Sequence, residues 1–201
     1  MISQTLGNCG ERSGEGEYLT LAFSPLSAPL RSRWRNNGLS ADFLGDYVIT
    51  FLPTEGSVAA AGSRQNEIRH AVTYIANELL ENAMKFHERN FDIPIGIHLE
   101  LTSDHITVSA SNGIAVVQAE RYKEFAEHLL EGDAGDLLMR QQEANAKCDG
   151  PGASGVGLLT MISDYGAQLG WRFDVHPAQS EIMTVTTSAV LPLESVPGAS
   201  A

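Results

Sequence analysis

The sequence is poor in cysteine, in basic residues and in long apolar runs. Its 201 residues include two cysteines, Cys9 and Cys148, and both stand in polar segments without a C-x-x-C pair or a histidine cluster. This pattern indicates neither a zinc site nor a disulfide framework, and it favours a reducing compartment. Lys and Arg number 13 against 25 Asp and Glu, which gives a net charge of −12. Because this charge repels nucleic-acid phosphates, we expect a protein or nucleotide partner and no nucleic acid.

No apolar run approaches the length of about 20 residues that spans a bilayer, and no charged and apolar leader opens the chain. These absences predict a cytoplasmic protein with no membrane partner. With 43% hydrophobic residues, the chain can bury one sizeable core. We expect a single domain over residues 18–194, with a mobile tail at 1–17 and a second tail at 195–201.

The most informative segment is a helix predicted for residues 64–90. Glu78, Asn82 and Lys85 follow one another at spacings of four and three, along one edge of its apolar stripe. A desolvated amide without a partner costs about 1–3 kcal/mol, so we expect Asn82 to have a ligand. Magnesium with phosphate would satisfy all three groups, with Asn82 as a metal ligand, Lys85 on phosphate and Glu78 as a base. The apolar stripe itself consists of Ile68, Val72, Ile75, Leu79, Ala83 and Phe86.

The helix alone also has a simpler interpretation. Polar edges are common on amphipathic helices, and an ordinary helix would leave its Glu and Lys solvated while the Asn bonds to neighbouring backbone. The next segment favours the ligand-binding interpretation.

A glycine-rich segment at residues 152–158 reads Gly-Ala-Ser-Gly-Val-Gly-Leu and leads into an apolar run at 156–162. The run predicts a helix that ends near Gly166. Glycines let the backbone approach a polyanion, and the start of the following helix presents free amides to phosphate. The segment therefore predicts a phosphate site, with Gly152, Ser154, Gly155, Val156, Gly157 and Leu158 as the binding residues.

Together, the two segments resemble those of the GHKL (Bergerat-fold) ATPases. Residues 78–86 are similar to the N-box of that family, residues 155–158 to its second glycine box, and residues 185–193 to its closing strand. The resemblance implies ATP or ADP with Mg²⁺ as cofactors. It also implies an α/β two-layer sandwich in which helices cover a mixed sheet of four or five strands. Strands are predicted at 18–23, 93–101, 105–111, 168–175 and 182–191.

The first glycine box departs from the family's pattern. Residues 109–114 read Ser-Ala-Ser-Asn-Gly-Ile where the family has Asp-x-Gly-x-Gly. The resemblance implies that Asn112 and Gly113 contact the nucleotide, although a neutral amide is a weaker acceptor for adenine than a carboxylate. Residues 114–152 would form a lid over the nucleotide, with helices at 116–131 and 136–146.

The N-terminal segment 26–53 predicts a helical hairpin, with helices at 26–37 and 41–52 and a linker at 53–63. Gly38 would supply the left-handed residue that closes the first helix. Three arginines, Arg31, Arg33 and Arg35, surround Trp34 in this otherwise base-poor chain. The cluster is compatible with a solvated helix whose Trp is in the core, and also with a contact surface for an acidic partner or a second subunit.

Residues 33–47 resemble the N-terminal signature of a bacterial, largely cyanobacterial, regulator branch related to the anti-sigma-factor serine kinases. The resemblance implies a homodimer in a partner-switching pathway, with a STAS-domain antagonist as partner and a sigma factor or metal-dependent phosphatase as further partners. One function is a kinase that phosphorylates Ser or Thr of the antagonist. A second is a module of the same fold that binds its partner without phosphotransfer, and a third is a structural protein that binds no nucleotide. His70 shares a helix with Glu78, which disfavours an autophosphorylating histidine kinase.

Overall fold

The computed structural model describes residues 3–10, 16–24, 30–52, 58–88, 90, 92–147, 156–176 and 181–193, and it describes their side chains except at 30–36, 58–61 and 144–147. These ranges contain six strands and five helices. In chain order they are β1 (Ser3–Gly7), β2 (Glu17–Phe23), α1 (Leu30–Ile49), α2 (Val58–Phe86), β3 (Ile95–Leu101), β4 (His105–Ala115), α3 (Val116–Glu131), α4 (Ala134–Lys147), α5 (Val156–Ser163), β5 (Gln168–Val175) and β6 (Ile182–Pro192).

The strands form one sheet in the order β1-β5-β6-β4-β3-β2. Its helix-facing residues and the helices enclose the core, so the predicted two-layer α/β sandwich is confirmed. The sheet differs in detail from the expectation, because it has six strands and every pairing among the described strands is antiparallel. Alternation along β3 shows its two faces: Ile95, Ile97 and Leu99 join the core, whereas His98 lies on the opposite face.

The predicted N-terminal tail is wrong for residues 3–10. β1 pairs with β5 from Ser3 opposite Asp174 to Gly7 opposite Gly170, and it forms one edge of the sheet. Only Leu6 of this strand packs against the core, so five mostly polar residues gave no apolar pattern to detect. The partner strand supplies the register that the sequence of β1 does not specify.

The predicted N-terminal hairpin is replaced by one continuous helix. α1 passes through Asn36-Asn37-Gly38 without a break, and Asn37 is 1% exposed. At Gly45, α1 approaches α2 closely, since an added Cβ would lie 3.0 Å from the carbonyl oxygen of Arg69. The inner side of α1 also buries Ala41, Leu44 and Val48, and Leu52 after the helix is buried too. Burial of this side outweighs the weak helix propensity of Asn and Gly.

Helix α2 begins before the predicted start, at Val58, so the predicted linker at 53–63 is helical from there; residues 53–57 lie outside the described residues. The predicted apolar stripe is confirmed through Ala83, and Phe86 at the helix end is 36% exposed. Glu78 and Asn82 are half-buried at the edge of the stripe, and Lys85 is exposed.

The described part of the predicted lid consists of α3 and α4, and α3 is fixed to the sheet. The indole N–H of Trp171 donates to the hydroxyl oxygen of Tyr122 at 3.3 Å, and this hydroxyl lies 3.3 Å from the Thr187 hydroxyl. Burial raises the pKa of Tyr122, so the phenol stays neutral. The first lid helix is therefore a wall of the domain. Residues 148–152 of the lid and the tail at 195–201 lie outside the described residues.

Candidate functional site

A cavity of about 360 Å³ lies where α2, α3, α5 and the end of β4 meet. This volume falls within the range of about 300–1,000 Å³ that small-molecule sites occupy. Its lining is mainly apolar and aromatic, and the polar ends of three side chains interrupt it: two amides and one guanidinium. The lining residues are Asn82, Phe86, Ile114, Gln118, Arg121, Tyr122, Phe125 and Leu158.

The junction between β4 and α3 explains one wall. Ala115 is extended, with φ −67° and ψ 143°, and α3 begins at the next residue. Without an intervening loop, the end of the strand and the first turns of the helix stay together, so Ile114 and Gln118 line the same space. The aromatic wall continues with Tyr122. The centroid of its ring lies 5.6 Å from the ring centroid of Phe86 and 6.1 Å from that of Phe125.

Glu78 lies one helical turn before Asn82 and packs on the start of α5. A Cβ added at Gly157 would lie only 2.7 Å from the carboxyl carbon of Glu78, so a larger residue there would displace the end of the Glu78 side chain. Burial raises the pKa of Glu78, and the charge of Glu81 raises it further. The structure therefore brings Glu78 into contact with Gly157 of the glycine-rich segment.

Two tyrosines hold α5 against α2 beside this contact. The rings of Tyr74 and Tyr165 stack with their centroids 5.2 Å apart, and the Tyr74 side chain hydrogen-bonds to that of Thr160. Burial is the main cause that raises the pKa of Tyr74. These residues fix the position of Gly157 relative to Glu78.

The remaining predicted residues of the N-box and glycine loop have different positions. Asn82 and Leu158 line the cavity together. Lys85 is exposed, with its Nζ 5.4 Å from the centroid of the Phe86 ring, and it is not among the lining residues. Val156 is half-buried in the first turn of α5. Three further predicted residues, Gly152, Ser154 and Gly155, lie outside the described residues.

The segment expected to be the first glycine box is regular strand within β4. Asn112 pairs with Val185 and is 4% exposed, and its Nδ2 donates to the carbonyl oxygen of Gly113 at 3.4 Å. By strand alternation, Asn112 shares the helix-facing side of the sheet with the cavity residue Ile114. The Gly113 carbonyl also accepts a backbone bond from Glu88 at 2.8 Å, which ties the end of β4 to the segment after α2.

The sequence did not predict six of the lining residues as site residues: Phe86, Ile114 and four on α3. Gln118, Arg121, Tyr122 and Phe125 occur at spacings of three, one and three, which place them on one side of a helix. A search of the lid helices for such a side, mixing aromatics with amides and a cation, would have found them. Arg121 is notable as a cation in a chain of net charge −12.

Among the described residues, no group of three or more His, Cys, Asp or Glu side chains could hold a metal ion. Magnesium at this site would therefore rely on the Asn82 carbonyl, on water and on the oxygens of a bound phosphate, a donor set that this ion accepts. No helix in the described ranges is long and apolar enough to span a membrane.

No family model and no curated protein matches the sequence. Among solved structures, a chain of the SiaB–SiaC complex from Pseudomonas aeruginosa matches with a TM-score of 0.56 and 16% sequence identity. The match covers 85% of this chain and 89% of that chain. The two chains therefore share a fold over most of their lengths.

Proposed function

We propose that the protein is a nucleotide-binding regulator of a bacterial partner-switching pathway and that it holds ATP or ADP in the cavity. One observation carries this proposal: four segments that are distant in sequence line the same space. They are the N-box through Asn82, the first-box strand through Ile114, the lid through α3, and the second glycine box through Leu158. This is the arrangement that a GHKL-type nucleotide site requires.

The lining divides the site into two parts. The aromatic and aliphatic wall, with Phe86, Tyr122 and Phe125, suits a flat purine, since π-faces stack on any base. We assign adenine to this part, with Asn112 as a neutral and therefore weak acceptor for the adenine amino group. Weak, micromolar-or-poorer affinity follows, with reduced discrimination against guanine.

The phosphates are assigned to the start of α5, where Val156 and Gly157 present backbone amides. Gly152, Ser154 and Gly155 would extend that cradle, and we assign Lys85 of α2 and Arg121 of α3 as the cations that would meet the phosphates. Asn82 would hold the magnesium ion that neutralises phosphate charge. The second part of the site therefore supplies most of the affinity.

We propose phosphoryl transfer as the activity, from ATP to a Ser or Thr of a STAS-domain antagonist. The hydroxyl oxygen of the antagonist forms a bond to the γ-phosphorus, the bond to the β–γ bridging oxygen breaks, and ADP leaves. Glu78 accepts the hydroxyl proton, and its raised pKa suits this role. A sigma factor or a phosphatase would be a further protein partner in the pathway. We also propose that the regulator acts as a homodimer.

The structural comparison supports the partner-binding part of this proposal. The chain that shares this fold belongs to a complex of two proteins, SiaB and SiaC. A second candidate function is partner binding without phosphotransfer. The observation that favours it is Asn112, because an amide buried in a strand replaces the carboxylate of the first glycine box.

Calorimetric titration of the full chain with ADP, ATP and GTP, each with and without magnesium, tests nucleotide binding. We expect micromolar-or-weaker binding of ADP and ATP. Magnesium should increase the affinity for the nucleotide, and Asn82→Ala should reduce this increase about tenfold, which corresponds to about 1.4 kcal/mol. Met139→Ala is the control, because Met139 is 62% exposed on α4 and does not line the cavity. The absence of heat at millimolar nucleotide, with folded protein, would reject the site.

Intact-mass spectrometry of a candidate antagonist, incubated with the regulator, ATP and magnesium, separates the two candidate functions. A gain of one phosphoryl group supports the kinase. Glu78→Gln should then keep nucleotide binding and lose transfer by about 10²–10⁴-fold, the usual contribution of a general base. Stable complex formation without any mass change would support the binding module instead.

A further inference from the structure

Helix α1 and the turn after it carry a second apolar stripe, on the solvent side. Leu39, Phe43, Tyr47 and Phe51 follow one another at intervals of four residues, and we call them the outer stripe. Leu39 is 65% exposed, Phe43 49% and Phe51 42%. The ring centroid of Tyr47 lies 6.2 Å from that of Phe43 and 5.0 Å from that of Phe51, so these three rings form a continuous apolar surface.

The inner side of α1 already packs on α2, and a helix that only covers its neighbour needs apolar residues on one side. Contiguous exposed apolar patches on soluble proteins mark interaction sites. Three exposed large side chains at helical spacing, joined by a tyrosine, are such a patch. The outer stripe is therefore a candidate interaction surface.

The charges of α1 are separated along its axis. Arg31, Arg33 and Arg35 lie in its first two turns, whereas Asp42 and Asp46 lie in its second half. Both carboxylates are exposed, and Asp46 also forms an ion pair with Arg69 at 2.5 Å. A second copy of the helix in the antiparallel direction would place a basic half against an acidic half at both ends. A parallel copy would place like charges together.

We infer that the outer stripe is the interface between two copies of this chain, packed antiparallel through α1 about a two-fold axis. Such a contact is self-complementary: Phe43 meets Leu39 of the second copy, and helix position 35 comes opposite positions 46 and 47. A helix of 20 residues is about 30 Å long, which accommodates this overlap. Because the complementary charges lie on the same helix, we infer that the partner on the outer stripe is a second copy of this chain. The inference deepens the homodimer of the proposed function, and it does not depend on the cavity or on nucleotide.

Sedimentation velocity of the full chain across a concentration series tests the interface. We expect a monomer–dimer equilibrium in the micromolar range. Phe43→Asp should raise the dissociation constant of the dimer at least about tenfold, because each of the two copies then places one carboxylate in the apolar interface. Met139→Asp, an equally exposed apolar position on α4, should leave the equilibrium unchanged. Circular dichroism checks that both variants fold. A wild-type monomer at every concentration, or a Phe43→Asp dimer of unchanged affinity, would overturn the inference.

A charge exchange tests the antiparallel direction and the identity of the occupant. One variant carries Arg31→Glu and Arg35→Glu, and the other carries Asp42→Lys and Asp46→Lys. Each should dimerise more weakly alone, because like charges then face each other. An equimolar mixture should form a heterodimer at least as tight as the wild-type dimer. A mixture that stays monomeric, or two variants that each dimerise as the wild type does, would exclude the antiparallel interface. Neither result bears on nucleotide binding.

Discussion

The contact between Glu78 and Gly157 joins two motifs that are nearly eighty residues apart in the chain. A Cβ at Gly157 would overlap the Glu78 carboxyl group, which is the far end of a flexible side chain and can move aside. Gly157→Ala should therefore displace this carboxyl group, and the cost of the displacement should offset the gain of up to about 1 kcal/mol that alanine brings to a helix. Urea unfolding measures this change in the free energy of unfolding.

Gly62→Ala is the matched control for this substitution. Gly62 is also helical, and a Cβ there would meet nothing within 4 Å. Alanine at this position should stabilise the protein by up to about 1 kcal/mol through helix propensity alone. If Gly157→Ala behaved like Gly62→Ala, Glu78 would not occupy the place described here.

The raised pKa of Glu78 predicts a pH-dependent effect on stability. An acid whose pKa is higher in the folded state loses stability as the pH rises from its ordinary value, about 4.3, through the folded value. Glu78→Gln removes this titration. The variant should therefore gain stability relative to the wild type at pH 7, by less than about 1 kcal/mol because the group is partly solvated.

Thermal unfolding between pH 4 and pH 8 checks this prediction. The difference in Tm between Glu78→Gln and the wild type should shrink as the pH falls below the ordinary glutamate pKa, where both side chains are neutral. A variant that is less stable than the wild type at pH 7 would show that the carboxylate makes a net favourable interaction there.

Residue spacing predicted part of the candidate site. Asn82 and Glu78 follow from helical periodicity in a segment whose apolar stripe is strong, and Leu158 follows from the glycine loop. Arg121 and Phe125 were not found, because which side of α3 faces inward is decided at the loop-free junction after β4. That junction depends on pairing between β4 and β6, which a local pattern does not specify.

At the scale of elements, α1 shows tertiary packing overriding a local stop signal. The sequence Asn-Asn-Gly is typical of a helix end, yet α1 continues because its inner side is buried along α2. A direct test is Gly38→Ala. In a continuous helix, where a Cβ at Gly38 would meet nothing within 4 Å, alanine should stabilise the protein by about 0.5–1 kcal/mol.

The hairpin that the sequence suggested gives the opposite sign for this substitution. A left-handed Gly38 would resist replacement, since L-residues lose about 1–2 kcal/mol in that conformation. Chemical denaturation of Gly38→Ala against the wild type therefore distinguishes one helix from two. A clear loss of stability would contradict the continuous α1.

Elements with a strong apolar pattern were predicted correctly, and weakly patterned ones were not. The strands at 168–175 and 182–191 and the helix at 116–131 agree with the structure to within a residue. β1 was read as a tail because an edge strand with one core side chain, Leu6, is nearly polar throughout. Its place in the sheet comes from backbone hydrogen bonds to β5, which any residue except proline can both donate and accept.

For the whole molecule, the cavity and the outer stripe lie on different parts of one scaffold. The cavity uses the C-terminal end of α2, together with α3, α5 and β4, whereas the outer stripe belongs to α1, which contacts α2 near Arg69 and does not line the cavity. The proposed nucleotide binding and the proposed self-association should therefore be separable by mutation. α2 contacts both regions, so it is the element through which one would influence the other.

Hydrogen–deuterium exchange of the full chain, with and without ADP and magnesium, tests most directly whether the cavity is the nucleotide site. We predict that saturating ADP slows amide exchange at the end of α2 from Asn82 to Phe86, at the junction of β4 and α3, and at the start of α5. Residues 39–51, which carry the outer stripe, should exchange at an unchanged rate. Unchanged exchange around the cavity at saturating nucleotide, or protection confined to other segments, would contradict the proposed site.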